Sequence, residues 1–84
     1  MELMETAAMM ESTDYQERFK AEFFQLRIRI DKLCAMLEKY KAGTLTFTPS
    51  CSYELLYEQL IYMRHYKAVL VQRAKIEGVN LEEE

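Results

Sequence analysis

Residues that could bind a small anion lie close together on one predicted helix. An aromatic ring can stack on a nucleobase, and arginine or lysine side chains neutralise phosphate. At about 100° of turn per residue, four such side chains and one acid share about one third of the helix circumference. They are Tyr15, Arg18, Glu22, Arg29 and Lys32. This pattern indicates a site for a small nucleotide at a junction between subunits.

An alternative interpretation of the same residues involves no ligand. Arg29 and Lys32 can extend along the apolar seam and pair with acids such as Glu22. Spacing alone favours this interpretation without a ligand over a nucleotide site. The cations of the second half of the chain are likewise expected to be solvated: Arg64, Lys67, Arg73 and Lys75.

Signals of catalysis are weak. His65 is the only histidine, it has no partner that would identify a triad, and no HExxH motif is present. Cys34 and Cys51 lack the number and spacing of a disulfide framework or zinc site, so we expect reduced thiols that pack as small hydrophobes. Gly43 and Gly78 stand where helices must end, which leaves no phosphate-binding glycine loop. We therefore expect no catalytic residue, no metal site and no cofactor.

Charge is segregated along the 84 residues, although the net charge is only −3. Residues 1–14 carry four acids and no base, and residues 82–84 are all glutamate. Residues 15–41 carry seven bases against four acids, and residues 42–81 carry four bases against three acids. The acidic total argues against a protein that binds nucleic-acid duplexes. A basic body still leaves room for a compact anionic ligand.

Two long helices are predicted to position these residues. Thr13 and Gln16 have the spacing of a capping box, so the first helix should begin at Thr13 and end at Gly43. Its apolar residues alternate in steps of four and three along one seam. These residues are Phe19, Phe23, Leu26, Ile30, Leu33, Leu37 and Tyr40.

The second long helix is predicted from about Ser50 to Glu77. Thr48 should cap it, Pro49 should occupy its first turn, and Gly78 should end it. The short connection makes the two helices antiparallel neighbours. One face of this helix carries its packing residues: Leu56, Leu60, Met63, Tyr66, Leu70 and Ala74.

The predicted fold class is therefore all-α, with an antiparallel hairpin of two long helices. We assign residues 13–81 to this hairpin domain, residues 1–12 to an N-terminal arm or short helix, and residues 82–84 to an acidic tail. No stretch reaches the roughly 18 apolar residues of a membrane span, and the first residues do not resemble a signal peptide. A cytosolic protein is expected.

Both helices carry more apolar surface than one hairpin can cover. On the first helix, Phe24, Ile28 and Ala35 point about 180° away from the seam. The second helix has an additional apolar stripe, which we call the outer stripe: Leu55, Tyr62, Val69 and Ile76. We expect association into a closed homo-oligomer to cover these faces. A third helix formed by residues 1–12 could cover one of them, hardly both.

The order of residues resembles a family of short phage proteins. These have a Y-Q-x-R start, an L-x-x-x-I-x-K-L continuation, and a second helix with the pattern L-L-x-x-Q-L-x-x-M-x-x-Y-x-x-x-L-x-x-R. The resemblance covers roughly residues 14–76 and is to the phage anti-CBASS sponges. The matching positions are Tyr15, Gln16, Arg18, Leu26, Ile30, Lys32, Leu33, Leu55, Leu56, Gln59, Leu60, Met63, Tyr66, Leu70 and Arg73.

The resemblance implies a helical hexamer that sequesters cyclic oligonucleotide messengers of bacterial immunity in the host cytoplasm, without catalysis. It implies that Tyr15 stacks on a base, that Lys32 contacts phosphate, and that Arg73 serves a separate pocket for cyclic trinucleotides. Arg29 stands where the family often has lysine, so either Arg29 or Lys32 could be the phosphate contact. Further departures are the two phenylalanines, Phe19 and Phe23, at usually aliphatic or polar positions.

Two other functions fit the sequence. A structural or adaptor protein could use its apolar stripes to bind or inhibit a host protein. An enzyme is the last choice: the L-R-x-x-I-D segment from Leu26 to Asp31 is similar to the opening of small helical chorismate mutases. That family needs further helices with cationic groups around a dicarboxylate, which this chain does not supply.

Overall fold

The described part of the chain forms three α-helices and no strand. The computed structural model describes residues 3–11 and 13–81. Helix α1 spans Leu3–Met10, α2 spans Tyr15–Ala42 and α3 spans Tyr53–Glu77. Helix α2 packs against both α1 and α3, whereas the backbones of α1 and α3 do not come close to each other. The all-α prediction is confirmed, while Ser12 and the predicted acidic tail lie outside the described residues.

The two long helices are antiparallel, as predicted. Tyr15, at the start of α2, contacts Glu77, at the end of α3. At the other end of the hairpin, the rings of Tyr40 and Tyr53 meet edge to face with centroids 5.6 Å apart. The helices are of similar length, and the molecule is 43 Å long and 24 × 22 Å in cross-section. Among the described residues, no helix combines the length and apolarity needed to cross a membrane.

The N-cap of α2 lies one residue later than predicted. Its N-cap is Asp14, whose carboxylate accepts a hydrogen bond of 2.9 Å from the Gln16 amide. The prediction that Thr13 caps the helix is therefore wrong. A carboxylate at this position also complements the positive end of the helix dipole, which a hydroxyl cannot do to the same extent. Gly43 ends α2 with φ of 74°, as predicted.

Helix α3 begins later than predicted as well. Its N-cap is Ser52, whose hydroxyl accepts a hydrogen bond of 3.2 Å from the Leu55 amide, so the assignment of Thr48 and Pro49 to the helix start is wrong. Ser50 and Ser52 both follow Pro49, and Ser52, next to Tyr53, is in position to satisfy the first free amides of the helix. Cys51 therefore lies exposed in the connection and does not pack as a small hydrophobe, whereas Cys34 is half-buried in α2.

The core lies along the α2–α3 seam. All the predicted α2 positions are buried or half-buried, and so are the α3 positions except Tyr66, which is 44 % exposed. Tyr66 lies about 70° around the helix from the centre of the buried face, at an edge where tyrosine can pack its ring and leave its polar end to water. Leu70 is completely buried. The buried apolar residues are Phe19, Ala21, Phe23, Phe24, Leu26, Ile30, Leu37, Leu60, Leu70, Ala74 and Val79.

Helix α1 covers part of the α2 face that points away from the seam. Phe24 is buried there, and Met9 of α1 packs against the buried cluster that contains it. Farther along α2, Ile28 is half-buried and Ala35 is exposed. Helix α1 is thus a third helix that covers the first part of this face within one chain, without self-association.

The outer stripe of α3 is left uncovered by the described residues 3–11 and 13–81. Its four residues remain 52–86 % exposed, with Ile76 at the upper limit. The prediction that one hairpin leaves apolar surface uncovered is confirmed for α3. Hydrophobic surface of this extent along one helix face is typical of a site of association.

Candidate ligand-binding site

Three polar side chains meet where the start of α2 lies beside the end of α3. The Tyr15 hydroxyl donates a hydrogen bond of 2.6 Å to Oε1 of Glu77, and it accepts one of 3.0 Å from Nη2 of Arg73. Arg73 Nε in turn donates to Oε2 of Glu77 at 3.2 Å. We call Tyr15, Arg73 and Glu77 the end cluster. It joins one hydroxyl, one cation and one anion at an exposed edge of the hairpin.

Arg73 is held over an aromatic ring. Its guanidinium carbon lies 5.0 Å from the centroid of the buried Phe19 ring, a cation–π arrangement. The Tyr15 ring lies 6.2 Å from the same Phe19 ring. Phe19, one of the departures from the resembled family's pattern, therefore supports both candidate ligand-binding residues of the end cluster.

The contacts within the end cluster shift the pKa values of its members. The hydrogen bond to Glu77 raises the pKa of the Tyr15 phenol, with partial burial acting in the same direction and Arg73 opposing. The hydrogen bond from Tyr15 lowers the pKa of the Glu77 carboxyl, partial burial opposes this, and Arg73 lowers it further. The cluster is therefore built for an ionised Glu77 and a neutral Tyr15.

Acid should weaken the end cluster. Because folding lowers the Glu77 pKa below its ordinary value of 4.5, ionised Glu77 stabilises the fold above that pH, and the contribution is lost as pH falls through the lowered value. We expect the melting temperature of the wild-type protein to exceed that of Glu77→Gln at pH 7 by a small margin that closes toward pH 3. Glu58→Gln removes the same charge from an exposed position on α3 and serves as the control. A margin of equal size at both pH values would contradict the assignment.

The other predicted residues lie elsewhere on α2. Arg18 is exposed one turn beyond Tyr15. Arg29 and Lys32 are also exposed, but at 1.5 Å of rise per residue they lie about 21 and 26 Å along the helix from Tyr15. The fold thus brings Tyr15 and Arg73 together, although the resemblance implied separate pockets for them, and it keeps Lys32 of the same chain at a distance.

Lys32 borders a second feature, an open depression near the turn end of the hairpin. Its volume is about 490 Å³. A second lysine, Lys39, also lines it, and the remaining wall comes from the end of α2 and the connection: Ala35, Met36, Thr44, Leu45, Thr46 and Phe47. Lys32 therefore has a basic and partly apolar environment of its own.

Sequence reasoning missed Glu77 as a site residue. The spacing of Arg73 and Glu77, four residues apart on a helix, is a signal for an ion pair that could have been read directly. Contact between Glu77 and Tyr15 depends on how the two helices are aligned, which no local pattern reveals.

A family comparison decides which group of proteins these helices belong to. A model of the family named Sequestin matches residues 13–76, about three quarters of the chain. The chain belongs to the Sequestin family. The Sequestin match includes α2, the connection and α3 up to Ile76, and so contains Tyr15 and Arg73 but neither α1 nor Glu77.

The name Sequestin is consistent with the phage sponge family that the sequence resembles, and it suggests binding and sequestering rather than catalysis. No curated protein and no solved structure matches this Sequestin chain significantly.

Proposed function

We propose that this protein is a phage-encoded sponge that binds cyclic di- and trinucleotide messengers and so blocks a bacterial CBASS-type defence, without catalysis, in the host cytoplasm. The observation that carries the proposal is the end cluster. Within a chain of the Sequestin family, it places an aromatic ring and an arginine side by side at an exposed edge. Both are groups that bind nucleotides.

Each site residue has a role in this proposal. The Tyr15 ring, 48 % exposed, stacks on a base. Arg73 binds phosphate in the pocket for cyclic trinucleotides, and Arg18 adds positive charge beside it. Lys32 or Arg29 binds phosphate of the cyclic dinucleotide. None of these steps breaks a covalent bond, so the ligand is withdrawn from its receptor intact.

Two protomers complete the dinucleotide site. Since Tyr15 and Lys32 of one chain are about 26 Å apart by helix rise, one small ligand contacts both only if they come from different chains. The uncovered outer stripe supports such an assembly, because it gives copies a reason to associate. A homohexamer is the assembly that the family resemblance implies.

Native mass spectrometry with a panel of cyclic di- and trinucleotides tests the proposal, since it reports the number of protomers and the number of ligands together. Binding should also raise the melting temperature, as for any ligand of the native state. Arg73→Ala should weaken cyclic trinucleotide binding at least tenfold, because it removes hydrogen bonds to a charged group. Lys75→Ala, the loss of another exposed cation of α3, should leave binding nearly unchanged.

Failure of the whole panel to bind or to raise the melting temperature would refute the sponge proposal. Equal loss of affinity in Arg73→Ala and Lys75→Ala would refute the role of the end cluster, because it would show only a general dependence on positive charge.

A second candidate function rests on the outer stripe alone. An adaptor that binds or inhibits a host protein would place these exposed apolar residues against its partner. This function predicts a stable complex recovered from host lysate and indifference to nucleotides. The sponge predicts the reverse, so the two experiments together separate the candidates.

A further inference from the structure

Glu77 occupies two donors of the end cluster that an anionic ligand could use, Arg73 Nε and the Tyr15 hydroxyl. Each of its carboxylate oxygens accepts one hydrogen bond, Oε1 from the Tyr15 hydroxyl and Oε2 from Arg73 Nε. Phosphate oxygens accept from the same types of donor with similar geometry. In the free protein, Arg73 Nε and the Tyr15 hydroxyl thus already donate to an anionic group of the same chain.

The position of Glu77 makes this contact easy to release. Glu77 is the last residue of α3 and precedes Gly78, whose φ of 73° ends the helix. A negative charge at this end is opposed by the helix dipole, so local helix energetics do not favour it. Its ion-pair partner Arg73 lies four residues earlier on the same helix, and the side chains of Arg73 and Glu77 are 45 % and 31 % exposed. Exposed pairs of this type are weak.

We infer that Glu77 is an internal competitor, a carboxylate that accepts from Arg73 Nε and the Tyr15 hydroxyl and competes with an incoming phosphate for these two donors. The identification of the ligand as a cyclic oligonucleotide rests on the proposed function, whereas the competition does not. Arg73 stays charge-compensated until a better anion arrives. Weak monoanions such as carboxylate metabolites are therefore disfavoured relative to ligands that offer several phosphate oxygens.

Glu77→Gln isolates the competing charge. Glutamine has the same length, and its amide oxygen can still accept from Arg73 Nε or Tyr15, so the fold and the cluster geometry are preserved while the negative charge is removed. The matched control is Glu58→Gln, which removes one charge from α3 about 28 Å away by helix rise. Circular dichroism and melting temperature confirm that both variants are folded.

Titration with inorganic pyrophosphate tests the competition directly. The reporter is the Arg73 Nε–Hε signal in the ¹H–¹⁵N spectrum, assigned by its loss in Arg73→Lys. In Glu77→Gln this signal should reach half-saturation at about two- to fivefold lower pyrophosphate than in the wild-type protein, the factor corresponding to a weak exposed ion pair. Glu58→Gln should follow the wild type. Equal half-saturation in all three proteins, or no response of the Arg73 signal in any of them, overturns the inference.

A parallel titration with the cyclic nucleotide panel separates this inference from the proposed function. Earlier saturation of Glu77→Gln by pyrophosphate with no cyclic nucleotide bound would refute the sponge and leave the competitor standing. Equal half-saturation of the wild type and Glu77→Gln by pyrophosphate, with cyclic trinucleotide bound by both, would refute the competitor and leave the sponge standing.

Discussion

Leu70→Ala should lower the free energy of unfolding of the protomer by about 3 kcal/mol, within the range measured for buried leucines. Leu70 has no solvent exposure and belongs to the buried cluster along the α2–α3 seam. Its truncation removes apolar contacts and leaves a cavity that two long helices cannot easily close. Urea denaturation followed by circular dichroism, at a protein concentration held constant across variants, measures the change.

Ile61→Ala is the matched control for Leu70→Ala. Ile61 lies on α3 and is 38 % exposed, so the same truncation removes fewer contacts and should cost less than half as much. A loss below about 1 kcal/mol for Leu70→Ala would show that the seam between the two long helices is not the main core.

Val69→Glu should prevent the proposed homo-oligomer from forming while the protomer stays folded. Val69 is 52 % exposed and lies in the middle of the outer stripe. In a single chain the new carboxylate points into water and changes stability little. In an assembly that covers the stripe, the charge would be buried without a partner, which weakens association by at least a hundredfold.

Analytical ultracentrifugation measures the change in assembly, and circular dichroism confirms that the helices persist. Ala68→Glu adds the same charge one residue earlier, about 100° around α3 from Val69, and is expected to keep the assembly of the wild type. Loss of assembly in both variants would indicate a general effect of negative charge. A wild-type protein that is monomeric at micromolar concentration would remove the basis of this prediction and of the two-protomer site.

The helices and their shared seam were predictable because their signals are local and repeated. Apolar residues spaced by three and four positions identified the packing faces of α2 and α3, and the two glycines identified their ends. The helix starts were less predictable, since several hydroxyl and carboxyl side chains compete to cap each one. Asp14 displaced Thr13, and Ser52 displaced Thr48.

The end cluster was only partly predictable. The family resemblance identifies Tyr15 and Arg73 as site residues but implies separate pockets for them, and their sequence positions say nothing of the contact between them. That contact depends on the alignment of α2 against α3, which is set by the length of the connection and by the packing of Leu60 and Leu70 along the seam. The burial of Phe24 beside α1 was uncertain for a related reason. Residues 3–10 form too short a segment for its apolar pattern to specify which face of α2 it covers.

The position of the end cluster gives a bound ligand a mechanical role. The polypeptide itself ties the two long helices together at the Gly43–Ser52 turn, whereas three exposed side chains tie them at the opposite end. A molecule bound between Tyr15 and Arg73 would add a further link between α2 and α3 at the end where only side chains join them. Ligand binding would then reduce fraying of the first turn of α2 and of the last turn of α3 together. Amide hydrogen exchange in both turns would slow as a result.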